Sequence, residues 1–477
     1  MNTKTQNAKI IFGLKVKQLR LAKKLSFGDL AKLTSMSVSY LNEIEKGKKF
    51  PKPDKVAALA EALDTTTETL TSTELEGSLA PVSDLLQSNF LNELPLDLFG
   101  IELSKVVEII ANSPTRVGAF ISTLVDLSRN YALREENFFF GALRSFLEMH
   151  NNYFEDLEQE VSTFVKSHEL STSSAPSVQQ LADILSKDYK YKLVDNGLDD
   201  HPDLQHIRSV FIPAKKQLLL NSRLNDQQKA FQFGKELGFN YLKLKERANT
   251  ANLIRVRSFE EALNHFKAGY FSAALLINKE SFIADVRYIF GKPQWDQNDF
   301  IRLLTKYRSS PEMLFQRLTN VLPSAFGLKK LFLLRFIHDL DQGTFNVDKE
   351  LHLNRQHQPH SNGLFEHYCR RWISIALLNE LPQVGESPTT IAGVQRSRYY
   401  GTEDEYLCFT IGRSSYPTPR QNVSMTVGVL IDDDLRQTIR FWNDPSIPTR
   451  IVNNTCERCP IEDCTERVVP PRVILKR

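Results

Sequence analysis

Apolar and polar positions along this chain set out an ordered series of elements, clearest between Leu25 and Pro51. Ser26 stands at the cap position of a short helix, with Asp29 three residues on as a short capping-box partner. Leu30, Ala31 and Leu33 are expected to form the buried side of that helix. Ser37 caps a second helix, on which Leu41 and Ile44 face the core at i, i+3 spacing. Gly47 ends it, where a left-handed residue fits. Lys46, Lys48 and Lys49 cluster at the exit. Two short helices so joined predict a helix-turn-helix, whose second helix can lie in a DNA major groove.

Residues 73–97 have the composition of a connector. From residue 97 to 168 the pattern is helical: Val106, Ile109 and Ile110, then Val117, Phe120, Ile121 and Leu124, then Phe139, Leu143, Phe146 and Leu147, then Tyr153, Phe154 and Leu157. This stretch is either a self-association segment or an ordinary helical core. Glu169–Val178 reads as a linker. A helix at Val178–Tyr189 then leads into strand-like runs at Tyr191–Val194, Val210–Pro213 and Gln217–Asn221, and into a long helix, Asp226–Lys245. Leu314, Leu318 and Val321 suit an amphipathic helix, and a domain end is expected near Pro323. Beyond it come strand-like runs at Leu331–His338, Gly343–Val347 and Tyr406–Ile411.

Charge sharpens the picture. Residues 1–56 hold 13 Lys+Arg against 4 Asp+Glu, while the whole chain of 477 residues is only +3. The basic charge therefore sits with the helix-turn-helix, as phosphate contact requires. The N-terminus lacks the apolar core of a signal peptide, and no run of 18 apolar residues is present. Five cysteines in a chain of this size argue for a reducing compartment, so a cytoplasmic protein is expected.

The segment from Leu19 to Pro51 resembles the Xre-type (lambda-repressor-like) helix-turn-helix family. That resemblance implies an all-α head over residues 9–72, with Pro53–Leu63 and Thr66–Leu70 as closing helices. It implies a structural ion pair between Arg20 and Glu45. It also places Ser37, Ser39, Tyr40 and Asn42 toward DNA, where Asn42 can read adenine bidentately. Phe27 departs from the family, which often has a phosphate-contacting Gln there. Such heads bind paired half-sites, so a homodimer on double-stranded DNA is expected.

Three strands followed by a helix carrying Lys235-Glu-Leu-Gly-Phe239 resemble the ImmA/IrrE metallopeptidase-like domain, an α+β, zincin-like fold expected here over residues 178–323. Active members carry H-E-L-G-H, in which two His at i and i+4 hold zinc and the Glu polarises water. Here Lys235 and Phe239 replace both His, and Glu236 alone remains. No carboxylate lies within Lys267–Leu276, the segment resembling that of the third ligand; Glu260 and Glu261 upstream are expected at the surface. No peptidase activity is expected, so the chain is not read as an enzyme. Lys235, Glu236 and Tyr270 are expected either to be packed core or to line a retained pocket.

Near the end stands Cys456-Glu-Arg-Cys459-Pro-Ile-Glu-Asp-Cys464, three thiols of which two form a C-x2-C knuckle suited to one metal. A fourth ligand comes from Cys369 or from His352, His357, His360 or His367. Cys408 reads as a buried small hydrophobe. The full order of segments, with Cys369-Arg-Arg-Trp372 and the terminal Cys456 to Pro471 pattern, resembles the short-chain fatty acyl transcriptional regulator family. The resemblance nominates Cys369 as the fourth metal partner, with Zn2+ or an iron–sulfur cluster left open. It implies an α/β regulatory domain over 324–477 and an acyl-CoA-type effector. Basic segments at Lys243–Arg257 and Arg370–Arg371 are candidates for its phosphates. Arg370 departs from the family, which usually has Pro there. A metal- or redox-sensing regulator acting through the cysteines is the alternative.

Overall fold

The computed structural model describes residues 3–73, 135–172, 174–204, 207–251, 256–353, 366–381, 389–414 and 420–472. They fall into two compact units, residues 1–142 with 257–260, and residues 143–256 with 261–477. The helical runs expected at Val106–Ile110 and Val117–Leu124 lie outside the described residues.

The first unit carries helices α1 (Thr3–Ala22), α2 (Phe27–Thr34), α3 (Val38–Glu45), α4 (Pro53–Ala62) and α5 (Thr67–Thr71). Ser26 and Asp29 make a full capping box at α2, and Ser37 caps α3 by accepting from the Tyr40 N–H. Between them Ser35 turns the chain in a left-handed conformation and Met36 is buried. The core gathers Phe12, Val16, Leu30, Leu41, Ile44, Val56, Leu59 and Leu70. Leu33 is not part of it: it stands 60% exposed. The buried stripe of α2 runs i, i+4 from Leu30 to Thr34, whose hydroxyl donates to the Leu30 carbonyl and can therefore be buried at little cost. Gly13 lets α1 cross α3 closely, since a Cβ there would lie 2.2 Å from the Ile44 carbonyl oxygen. Gly47 has φ +68°, the left-handed geometry its position requires.

In the second unit, the latter parts of α6 (Glu135–Met149) and α7 (Glu155–Ser167) are packed intramolecularly. Phe164 of α7 meets Phe271 edge-on, and Glu158 accepts two bonds from the fully buried Arg317. Next come α8 (Val178–Lys187), strands β1 (Lys192–Val194), β2 (Ser209–Ile212) and β3 (Gln217–Leu220), and α9 (Asp226–Tyr241). The small sheet has order β1-β3-β2, with β1 parallel and β2 antiparallel to β3. Then α10 (Phe259–Leu276), α11 (Lys279–Phe290), α12 (Gln297–Lys306) and α13 (Pro311–Phe326) follow. Helix α13 runs through Pro323 and is ended by Gly327. A proline removes one backbone donor, and α13 stays anchored by the buried Val321 and Leu322.

The C-terminal region is α+β rather than the expected α/β. Strands β4 (Leu331–Asp339), β5 (Thr344–His352), β6 (Thr390–Tyr399), β7 (Glu405–Arg413), β8 (Gln421–Leu430) and β9 (Thr449–Val452) form one sheet of order β5-β4-β8-β7-β6-β9. Only β6 and β9 pair in parallel. Short turns join β4 to β5 and β6 to β7, and such hairpins give antiparallel neighbours. This region also carries helices α14 (Ile373–Glu380), packed on the sheet, and α15 (Asp433–Thr438). Phe290 of α11, Trp295, Phe300 of α12, Phe409 of β7 and Phe441 share one aromatic cluster. The core thus crosses the boundary expected at Pro323.

Candidate functional site

In the first unit, Leu41, Ile44 and Glu45 turn α3 inward, which leaves Ser39 exposed and Tyr40 and Asn42 half-buried on its outer side. Ser37 is exposed and its side chain is engaged as the helix cap. Val38, absent from the sequence-based set, is also exposed at the N-terminal end of α3. Lys48 and Lys49 are exposed and Lys46 is half-buried. Lys49 pairs with Glu43 at 2.7 Å, and its ammonium lies 5.7 Å from the Tyr40 ring, with that of Lys55 at 5.1 Å. Arg20 holds Glu45 through two bonds of 2.6 and 2.9 Å and donates to the Leu25 carbonyl at 2.9 Å. Its guanidinium lies 4.2 Å over the Phe27 ring. Phe27, the departure from the Xre pattern, is therefore the platform on which the structural arginine rests.

In the second unit, the helix that carries H-E-L-G-H in active peptidases is α9. Its surviving carboxylate, Glu236, accepts bonds from Arg247 at 2.6 and 2.8 Å and from the Tyr191 hydroxyl at 2.8 Å. Arg247 lies 3.9 Å from the centre of the Phe239 ring and 4.6 Å from that of Phe211. Lys235 is buried and donates to the Ala251 carbonyl at 2.8 Å; its Nζ is 2.6 Å from His265 Nε2. Burial brings the Lys235 ammonium down to about 7, and burial with the nearby Lys235 charge holds His265 well below the ordinary imidazole range. Arg247 thus engages the Glu236 carboxylate, and the buried Lys235 amine meets the His265 imidazole. Both carboxylate oxygens of Glu236 are thereby engaged.

Tyr270 is not part of this network. It donates to Glu158 at 2.7 Å, beside Arg317. Lys235, Glu236 and Tyr270 are all buried, and Tyr270 bonds a different carboxylate from the one beside Lys235. Glu261, expected at the surface, is buried. The sequence reading missed Arg247 and His265. Nothing in the spacing distinguishes Arg247 from its basic neighbours in Lys243–Arg257, and it is the burial of the Glu236 carboxylate that calls for it.

The cysteines gather at one end of the large sheet. An isolated bridge pairs Tyr368 with Thr455, so that Cys369 donates its N–H to Asn454 and Cys456 donates to His367. Cys369, Cys456 and Cys459 are buried and Cys464 is half-buried; none is in a disulfide. Burial pushes the Cys369 thiol up to about 11, with Cys456 and Cys459 adding to the shift. Arg467 ties the knuckle by donating to the carbonyls of Cys456, Cys459 and Ile461 at 2.8, 2.9 and 2.6 Å. Among the described residues, no three His, Cys, Asp or Glu side chains are arranged to hold a metal ion. The donor types suit Zn2+ or an iron–sulfur cluster, and the backbone brings Cys369 beside the knuckle. Cys408 is buried, as expected of a small hydrophobe. His357 and His360 lie outside the described residues.

No helix among the described residues is long and apolar enough to cross a membrane. Residues 11–72 match a helix-turn-helix domain family, and residues 191–319 match the IrrE N-terminal-like domain family. No curated protein matches the chain. A solved transcriptional regulator from Mycobacterium tuberculosis is similar at 16% identity and a TM-score of 0.47, over 70% of this chain and 94% of that one. The chain thus carries a segment similar to a helix-turn-helix domain and a segment similar to the IrrE N-terminal-like domain, the latter with the run Lys235-Glu-Leu-Gly-Phe239 on α9.

Proposed function

We propose that this chain is a non-enzymatic, sequence-specific DNA-binding transcriptional regulator. The observation that carries the reading is α3, held by the Arg20–Glu45 pair with its polar side outward and lysines at its exit. Ser37, Ser39, Tyr40 and Asn42 would meet DNA, and Lys46, Lys48 and Lys49 its phosphates. It would act as a homodimer in the cytoplasm, on paired half-sites. The effector is taken to be a short-chain acyl-CoA, on the strength of the family resemblance. For such an effector to regulate, it must bind the DNA-competent and incompetent states with different affinity.

The test is fluorescence anisotropy with DNA from the upstream region of its own gene, at fixed salt because phosphate contacts make affinity salt-dependent. One of acetyl-, propionyl- or butyryl-CoA is expected to shift DNA affinity about tenfold, or roughly 1.4 kcal/mol of coupling, while free CoA does not. Tight DNA binding indifferent to every thioester removes the acyl reading and leaves the DNA-binding one. Asn42→Ala is expected to weaken binding by about 1–3 kcal/mol and to relax one base preference.

The bridge that sets Cys369 beside the C-x2-C knuckle favours a second reading, in which the cysteines hold a metal that reports metal or redox state. Protein purified without oxygen would then contain about one metal site per chain, lost in Cys459→Ser. Folded protein free of zinc, iron and acid-labile sulfide overturns this reading.

A further inference from the structure

Beside the cysteine corner lies a cleft of about 380 Å3, lined by Arg370 of the Arg370–Arg371 pair that the sequence offered for effector phosphates. Phe345 of β5, Arg370, Asn379 of α14, Arg450 of β9 and Glu466 line it. The Arg370 guanidinium lies 4.4 Å from the centre of the Phe345 ring, and its Nη1 is shut off from water with no hydrogen-bond partner. A guanidinium N–H that is both dry and unpaired is costly, and proteins ordinarily match it with an anion. The nearby carboxylates are already engaged. Glu466 accepts from Arg450 at 3.0 and 3.2 Å and lies 3.9 Å from Arg371. Glu457 accepts from the His367 backbone N–H and bonds its ring Nδ1, at 2.9 and 2.8 Å. Two arginines, Arg370 and Arg450, therefore line the cleft with one carboxylate between their demands, and Arg371 adds a third cation beside it.

We propose that this cleft is an oxyanion-binding site, which takes the carboxylate or phosphate group of a small molecule on Arg370, with Arg450 as the second cation. A planar guanidinium presents paired N–H donors that suit either group, and the volume is that of a small-metabolite site. The site goes beyond the DNA-binding reading and is tested without DNA.

The experiment is calorimetric titration of the full chain with inorganic phosphate and, separately, with acetate, each against sodium chloride of matched ionic strength. At least one anion is expected to bind saturably, one per chain. Arg370→Met is expected to weaken it at least tenfold. Glu466→Gln is expected to tighten it several-fold, because it frees Arg450 and Arg371 from the carboxylate they share. Arg420→Met, at a surface arginine paired with Asp341, is expected to bind like the parent. Phosphate binding without acetate binding names a phosphate-bearing ligand, and the reverse a carboxylate. Absence of binding by both anions overturns the proposal, as does parental affinity in both Arg370→Met and Glu466→Gln. If Arg370→Met does not fold, Glu466→Gln decides alone, by the direction of its effect.

Discussion

Arg20→Met is expected to unfold the helix-turn-helix head near room temperature and to abolish DNA binding. Arg20 and Glu45 are both almost wholly buried and share two hydrogen bonds. Removing one partner of such a pair leaves a buried, uncompensated charge, which costs about 3–5 kcal/mol. A head of this size has a total stability of about 3–9 kcal/mol, so the loss is comparable to the whole. The same substitution also removes the bond to the Leu25 carbonyl and the contact with Phe27 at the entry to α2. Glu45→Leu in the same chain removes the orphaned carboxylate, so Arg20→Met/Glu45→Leu is expected to regain much of the loss. Hydrogen exchange at the Leu30 and Leu41 amides reads the head alone. Protection in Arg20→Met within 1 kcal/mol of the parent, by the scale of ordinary surface substitutions, would sink the argument.

Lys235→Met is expected to flatten the pH dependence of stability of the second unit between pH 7 and 9. An unfolded lysine titrates near 10.5, whereas burial brings Lys235 to about 7 in the fold. Between those values the unfolded chain binds a proton that the folded chain does not. Stability is therefore fully present above about 10.5 and falls with pH down to about 7, by at most roughly 1.4 kcal/mol per unit. The parent should lose about 2–3 kcal/mol between pH 9 and pH 7 from this group. The methionine variant should not. Its loss of the bond to Ala251 and the contact with His265 is a constant offset across that window, where His265, held well below 6.5, stays neutral. Cys369, raised to about 11, lowers stability only as unfolded thiols ionise toward and above pH 9. That term is common to both proteins. Trp295, Trp372 and Trp442 all lie in the second unit, so urea unfolding followed by tryptophan fluorescence reports on it selectively. Parallel profiles for parent and variant would refute the assignment of a buried, largely neutral Lys235.

The departures from family patterns show how sequence and structure divide the information. Phe27 reads as the loss of a phosphate contact, and the structure gives it a partner in Arg20. Lys235 and Phe239 read as lost zinc ligands, and the structure sets Arg247 on Glu236 and His265 beside Lys235. Leu33 follows the apolar pattern of α2 and still lies outside, because an eight-residue helix offers only one narrow stripe to the core.

By itself the sequence determined the features that depend on neighbours in the chain. These are the caps at Ser26 and Ser37, the left-handed exit at Gly47, the basic head, and the three short strands before α9. Each is set by backbone geometry or by charge within a few residues. Only the tertiary structure decided the rest. It brought Arg247 and Tyr191 to Glu236, Arg317 to Glu158, and Cys369 to the knuckle 87 residues on. It also fused the middle and C-terminal regions around Phe290, Phe300 and Phe409. These pairings join elements far apart in sequence. What selects them is the cost of burying a charge or an aromatic ring without a partner, and that cost exists only once the chain has closed on itself.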